Sequence, residues 1–518
     1  MTTFGDLRSA AHRRPSRENF QRLIELLRAA DAPADAVRAE WVPYLESALG
    51  AWPDDARACV GAALRELERR DAAWSRLVRT LDYAEDNLSK TRVRALTQAA
   101  HLAHVTRLDL RASRVTWPLL CELSEAAPFA RLEALALRKS SMSRRDEPAF
   151  GAFWASPMLS ELSELDIDGW SKVNGRRLEM IWQALDLARL EVIDLSETGA
   201  SSRSLRPIFE RDVFSGLRVV RMRGLNVPMK ALHGATHLTA LEELDTAGHG
   251  NALSQMPSLP EHLRQLERWV IRGGAGDPAS LDRLLEPEVY PRLTELDVSG
   301  SVMGEEGFAR FAGATCFPAL ERLAFDDAEL GSVDALERME GFTAVRRFSF
   351  DHGVTDAAGW GHLARAPFYH QLTSLSAYTQ MGRRAHEHYE GLLAYGLPPG
   401  LEELHLPLTR EAGIRRCMEA LEGNRGLRSL AIGRPNNTGA ARARLSDETT
   451  DALAAHPACA SLEYLSLGGH DPSRAQVERI VEAFPDLREL HVGDASDDDL
   501  GPWNEDFIGS CRVIKRYM

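Results

Sequence analysis

A few stretches of this 518-residue chain carry residue types able to do chemistry. His386-Glu-His388-Tyr-Glu390 holds metal-capable side chains. A zinc-binding helix needs two histidines one turn apart with a glutamate between them. Here His386 and Glu390 share a helix face and His388 points away, so an exposed polar helix is expected. Arg272-Gly-Gly-Ala-Gly-Asp277 is glycine-rich and lies between a strand and a helix. It lacks the Lys-Ser/Thr of a phosphate-cradling loop and the spacing of a dinucleotide site, which leaves a turn. Gly493-Asp-Ala-Ser-Asp-Asp-Asp-Leu-Gly offers acids for calcium, but Asp499 stands where the loop needs glycine, and no bidentate glutamate follows in place. A polar cap is expected there. Cys59, Cys121, Cys316, Cys417, Cys459 and Cys511 form no CxxC pair and read as buried thiols, not a disulfide framework or a zinc site. No GxSxG elbow appears. No catalytic residue, metal ligand or cofactor is therefore assigned.

Composition narrows the class. The net charge of −14 argues against general nucleic-acid affinity, which needs a basic face. Only five residues are lysine (90, 139, 172, 230 and 515), leaving 57 arginines, a bias that fits a GC-rich bacterial source. The opening MTTFGDLRSAAHRRPSRENF lacks the apolar core of a signal peptide. No run reaches the ~18 apolar residues that span a bilayer. A cytoplasmic protein without a membrane partner is expected.

The elements that position these residues repeat. Val105-Thr-Arg-Leu108-Asp-Leu110 returns as Leu132-Glu-Ala-Leu135-Ala-Leu137 and Leu162-Ser-Glu-Leu165-Asp-Ile167. Clear copies start at Leu190, Leu217, Leu241, Leu293, Leu320, Leu401, Leu427, Leu462 and Leu487, and weaker ones at Leu266, Val345 and Leu372. These starts span 382 residues over fourteen intervals, about 27 per repeat. In each hexamer the last two apolar residues lie two apart, on one face of a short strand. The ~20 residues between strands must return the chain. Trp117–Ala127, Asp277–Leu285 and Ala475–Phe484 do so with helical patterns, Asp277 as N-cap and Pro278 at the first helical position. Strands about 4.8 Å apart opposite helices about 8–10 Å apart bend such a stack into an arc.

This pattern resembles the leucine-rich-repeat family, nearest its ribonuclease-inhibitor-like class in a bacterial form, over residues 103–495. The resemblance implies an α/β solenoid: a curved horseshoe with a parallel concave sheet and a helical convex side, used to bind proteins. One feature departs from the family. The asparagine eight residues after the first leucine is missing; Ser113, Ser140, Trp170, Thr198, Leu225, His249, Ser301, Thr409 and Pro435 stand there. Hydroxyls replace it only in part, so irregular inter-repeat turns are expected.

The expected domains are an α-helical N-terminal domain at 1–100, either a cap over the first repeat's open edge or a second docking module, about 15 repeats over 101–495, and a C-terminal cap at 496–518. Within the first, Phe20, Leu23, Ile24 and Leu27 have helical spacing after Ser16. Pro33 and Gly50 bracket a second helix interrupted at Pro43, Pro53 opens a third through Leu67, and Asp71 to Leu81 reads as a fourth.

The third and fifth hexamer residues, and the one after the sixth, should line the concave face. In the early and middle repeats these are charged: Arg107, Arg111, Arg138, Glu164, Asp166, Asp168, Asp194, Arg221, Arg223, Asp245, Arg268, Arg272 and Asp297. Such a face would steer a partner of complementary charge. The late repeats present serines and glycines with Tyr378, His405, Tyr464 and His491 as anchors. Trp170, just past a strand, reads either as an exposed anchor or as packed. The expected function is a non-catalytic scaffold or adaptor for an unidentified partner protein. The alternatives are a direct enzyme regulator (an inhibitor or a GTPase-activating surface inserting an arginine) and a self-assembling structural unit.

Overall fold

The computed structural model describes residues 3–30, 33–84, 88–111, 113, 115–125, 129, 131–137, 147–171, 173–248, 252–287, 289–351, 357–378, 385–408, 410–432, 443–468, 470–492, 505–508 and 511–515. Arg138, Ser140, His249, Thr409, Pro435 and the acidic loop 493–500 lie outside the described residues, as do the side chains of Tyr378, His386, His388 and Glu390. The chain divides into two compact units, Met1–Ala247 and Gly248–Met518.

The hexamer forms the strand its spacing requires. In the first unit the strands are β1 (Ala58–Cys59), β2 (Thr80–Asp82), β3 (Arg107–Asp109), β4 (Ala134–Ala136), β5 (Glu164–Asp166), β6 (Val192–Asp194), β7 (Val219–Arg221) and β8 (Glu243–Asp245). Each pairs in parallel with the next, and Leu81, Leu108, Leu135, Leu165, Ile193, Val220 and Leu244 fall in register on the buried face. Stacked aliphatics at one pleat position lock that register, because a one-residue slip would turn every one of them to solvent.

In the second unit the strands are β9 (Arg268–Val270), β10 (Glu295–Asp297), β11 (Arg322–Ala324), β12 (Arg347–Asp351), β13 (Ser374–Tyr378), β14 (Glu403–Leu406) and β15 (Ser429–Ile432), then β16 (Ala443–Arg444), β17 (Tyr464–Leu467), β18 (His470–Asp471), β19 (Glu489–Val492), β20 (Glu505–Ile508) and β21 (Cys511–Lys515). From β9 to β15 each strand pairs in parallel with the next; β17, β19 and β21 continue the sheet in parallel. β20 adds antiparallel to β21, and β16 pairs separately with β18. Helices return the chain, among them Trp117–Ser124, Pro278–Leu284 and Arg474–Ala483. Asp277 caps its helix by accepting the Ser280 N–H at 3.0 Å, with Pro278 at the first position. Each unit is an α/β stack of leucine-rich repeats.

The sheet begins inside the stretch expected to be helical. Ser16 caps the helix Arg17–Arg28 as its spacing predicts, and Pro43 follows one wide turn, Val37–Trp41, instead of a break. The expected third helix contains β1 and starts only at Gly61, and the expected fourth is a single tight turn, Ser75–Leu77, followed by β2. Val78-Arg-Thr-Leu-Asp-Tyr83 is one more copy of the hexamer, ending on a tyrosine instead of an aliphatic residue. Pairing with β3 overrides the weak helical period.

Among the described residues, the turns after β2, β3, β5, β6, β8 and β10 share one hydrogen bond where irregular turns were expected. The strand-ending Asp82, Asp109, Asp166, Asp194 and Asp245 each accept the N–H two residues on, at 2.8, 3.1, 3.0, 2.9 and 3.0 Å. Asp297 does the same for Ser299 at 3.0 Å. One residue later the backbone turns left-handed, at Gly169, Glu197 and Gly224 in the first unit and at Gly273, Gly300 and Asp327 in the second. Glycine takes that conformation without a Cβ penalty. The turning N–H groups then donate to the neighbouring repeat: Gly169 to the Ser196 carbonyl at 2.8 Å, Gly224 to Ala247 at 2.6 Å, Gly300 to Asp326 at 2.6 Å. This backbone ladder satisfies the groups that an asparagine ladder would otherwise serve. At the asparagine position itself, the Ser113 and Thr198 hydroxyls donate to the Leu110 and Leu195 carbonyls at 2.8 and 2.7 Å, while Trp170 and Leu225 are buried. Trp170 is 1% exposed and stacks on Trp117 at 5.2 Å, so it is packed and not an exposed anchor.

Candidate functional site

Alternation along each strand sends the third and fifth hexamer residues to the outward face of the sheet. There the charges expected to meet a partner meet one another. In the first unit Arg107 pairs with Glu164, Arg111 with Asp109 at 2.5 Å, Arg221 with Glu243 at 2.6 Å and with Asp194 at 4.0 Å, and Arg223 with Asp245 at 3.2 Å. In the second, Arg268 pairs with Glu295 at 2.7 Å and Arg272 with Asp297 at 2.8 Å. Asp168 is buried. Most of these aspartates also carry the turn hydrogen bond described above, so their carboxylates have structural work already.

Arg17, on the helix Arg17–Arg28, adds a pairing that the sequence reading missed. Its guanidinium reaches Asp82 at 2.6 Å and Asp109 at 3.8 Å. No local signal marks it, because the contact joins residues 65 positions apart.

Among the described residues no arginine lies within ion-pair distance of Asp166, and burial raises its carboxyl above the ordinary 3.8, with the Asp168 N–H opposing the rise and Asp194 adding to it. A raised acid is least comfortable when ionised, so it lowers stability at neutral pH and stops doing so as pH falls through its folded value toward 3.8. Asp166→Asn keeps the oxygen that accepts the Asp168 N–H. It is expected to melt roughly 2 °C higher than the parent at pH 7, with the gap closing near pH 4. Thermal scans at both pH values check this; a variant that melts lower at pH 7 contradicts it.

The late repeats differ. Over β13 to β19 the outward face holds a groove of about 340 Å³. Register fixes its layout. Along one row Ser374, Glu403, Ser429, Tyr464 and Glu489 stand on successive strands; along the other stand Ser376, His405, Ala431, Ser466 and His491. Ser429 and Ala431 are the low floor. Glu403 and His405 rise on one side, Tyr464 and His491 on the other, all lining the groove. Among the described residues neither lysine nor arginine lines it. Burial pushes the His405 imidazole below its usual range, Asp326 partly opposing, so it is neutral at pH 7. Ser376 approaches His405 Nδ1 at 3.4 Å, a long contact. His491 Nε2 lies 2.5 Å from Glu489, and its ring tilts against Tyr464 at 5.1 Å.

Thus His405, Tyr464 and His491 come together with most of the expected serines, and Tyr378 lies on β13 beside them. Sequence reading overlooked Glu403 and Glu489, although both occupy the third hexamer position that located the others. Among the described residues no cluster of three His, Cys, Asp or Glu side chains is arranged to hold a metal ion, and no helix is long and apolar enough to cross a membrane.

No protein-family model matches the chain, and no curated protein matches its sequence. Among solved structures it is similar to an internalin (inlF) from Listeria monocytogenes, at 12% identity, covering 72% of this chain and 98% of that one with a TM-score of 0.35. It is also similar to TLR13 in complex with the single-stranded RNA ssRNA13, at 15% identity, covering 77% of this chain and 58% of that one with a TM-score of 0.35. Neither likeness bears on what the groove holds.

Proposed function

We propose that this chain is a non-catalytic scaffold that binds a partner protein through the outward sheet face of its second unit. The observation that carries this reading is the contrast along that face. Arg107, Arg111, Arg221, Arg223, Arg268 and Arg272 are each held by a carboxylate of their own or a nearby strand. Over β13 to β19 the face instead opens a groove of small side chains walled by Tyr464, His405 and His491. Tyrosine presents a large, rigid contact at low entropic cost, as interface anchors do. The inserted-arginine regulator is a weaker reading, since the six described candidate arginines already engage carboxylates.

Filling the groove tests the proposal. The full chain and its Ala431→Trp variant serve as baits in lysate of the native host. The expected result is a protein captured in stoichiometric amount by the parent and lost with Ala431→Trp, both baits melting alike. A partner kept by Ala431→Trp would place the interface elsewhere.

A further inference from the structure

The chain itself shows how it holds a guanidinium. Arg92 lies over the Tyr83 ring at 5.0 Å while its nitrogens reach Glu68 at 2.7–3.0 Å. Arg365 lies over the Tyr395 ring at 5.6 Å, donates to the Tyr395 hydroxyl at 2.7 Å and pairs with Glu337 at 2.5 Å. In both places a tyrosine face and a carboxylate share one arginine. Stacking with simultaneous carboxylate pairing suits the flat, forked guanidinium better than an ammonium.

The groove contains the same two partners without the arginine. Glu403 pairs in register with Ser429, and Ser429 with Tyr464. A group seated over Ser429 thus has Glu403 one strand away on one side and Tyr464 one strand away on the other, each about 4.8 Å off. Glu489 stands one strand beyond Tyr464. Ser429 and Ala431 are small enough to leave the space open. Glu403 is exposed and makes no side-chain hydrogen bond or ion pair with the described residues, unlike its counterparts Glu164, Glu243 and Glu295 in the earlier repeats. Arg347 is two strands from Glu403 and does not line the groove. Among the described residues that line the groove, Glu403 is the one carboxylate, and no lysine or arginine stands beside it.

We propose that the notch over Ser429 and Ala431 is a binding site for an arginine side chain of the partner protein, stacked on Tyr464 and paired with Glu403. This rests on the scaffold reading above and names the chemistry of its anchor.

The probe is the peptide acetyl-Gly-Gly-Arg-Gly-Gly-amide, followed by saturation-transfer NMR with the full chain. A citrulline peptide of the same shape, without the charge, is the control. The arginine peptide should show transfer strongest at the methylene beside the guanidinium, and the citrulline peptide should bind at least about 10-fold more weakly. Glu403→Gln and Tyr464→Leu should each weaken the arginine peptide about 5-fold. Glu402→Gln, which removes the same charge outside the groove, should change it less than about 2-fold. Equal binding of the two peptides, no transfer from the arginine peptide, or equal effects of Glu402→Gln and Glu403→Gln would overturn the site. The capture experiment separates this from the scaffold reading. A partner lost with Ala431→Trp but kept by Glu403→Gln overturns the arginine and leaves the scaffold. The arginine peptide bound in the groove, with no partner captured, does the reverse.

Discussion

Trp170→Ala is expected to destabilise the unit Met1–Ala247 by about 3–5 kcal/mol. The indole is buried, stacks on Trp117 at 5.2 Å and lies 6.3 Å from Phe150. Trp117 in turn meets Phe150 edge-on at 4.6 Å and Phe153 at 5.7 Å. These rings come from three successive repeats, so removing one opens a cavity at an interface between repeats and not within one. In a solenoid, stability is carried by such nearest-neighbour interfaces, and nothing distant can substitute for one that is lost. Denaturant unfolding followed by circular dichroism reads the effect without relying on tryptophan emission. Trp170→Phe keeps an aromatic surface and should cost about 1–2 kcal/mol. A cost below about 1 kcal/mol for Trp170→Ala would mean that the repeats collapse around the cavity, against the packing argued here.

Trp170 also shows how far the sequence could be read. The strand hexamer is a short-range pattern, two apolar residues on one pleat face at fixed spacing. It survives substitution and exposes the fold at once. What Trp170 does depends on Trp117 and Phe150, which arrive from other repeats. The same division applies to the site. The third and fifth hexamer positions put His405, Tyr464 and His491 in the lining of one groove, with His405 across its floor from the other two. Whether an outward charge is available is set by the next strand. Arg221 looks like a surface arginine until Glu243 arrives beside it. Asp245 looks like a docking acid until it proves fully buried, bound to the Ala247 N–H and to Arg223. The β2 copy was hidden for a different reason. Its hexamer ends on Tyr83, whose hydroxyl needs a partner that only the folded chain supplies.

That partner leads to the second large effect. Glu68→Ala is expected to cost about 3–5 kcal/mol, because it strands two groups at once. The Tyr83 hydroxyl, fully buried, donates to Glu68 at 2.9 Å. The Arg92 side chain, 16% exposed, uses two nitrogens on the same carboxylate and stacks on the Tyr83 ring. Glu68→Gln keeps an acceptor for Tyr83 and loses only the charge, so it should cost less. Replacing both charges, Glu68→Leu with Arg92→Met, should recover the part owed to the stranded guanidinium and leave the part owed to the buried Tyr83 hydroxyl. A double-mutant cycle then yields the coupling between carboxylate and guanidinium beside a tyrosine ring. If that coupling is below about 0.5 kcal/mol, the arrangement is merely tolerated in the core. An arginine offered to Glu403 and Tyr464 would then gain little from the same chemistry. If it reaches about 2 kcal/mol, the partner's arginine has a source of affinity that this chain already uses on itself.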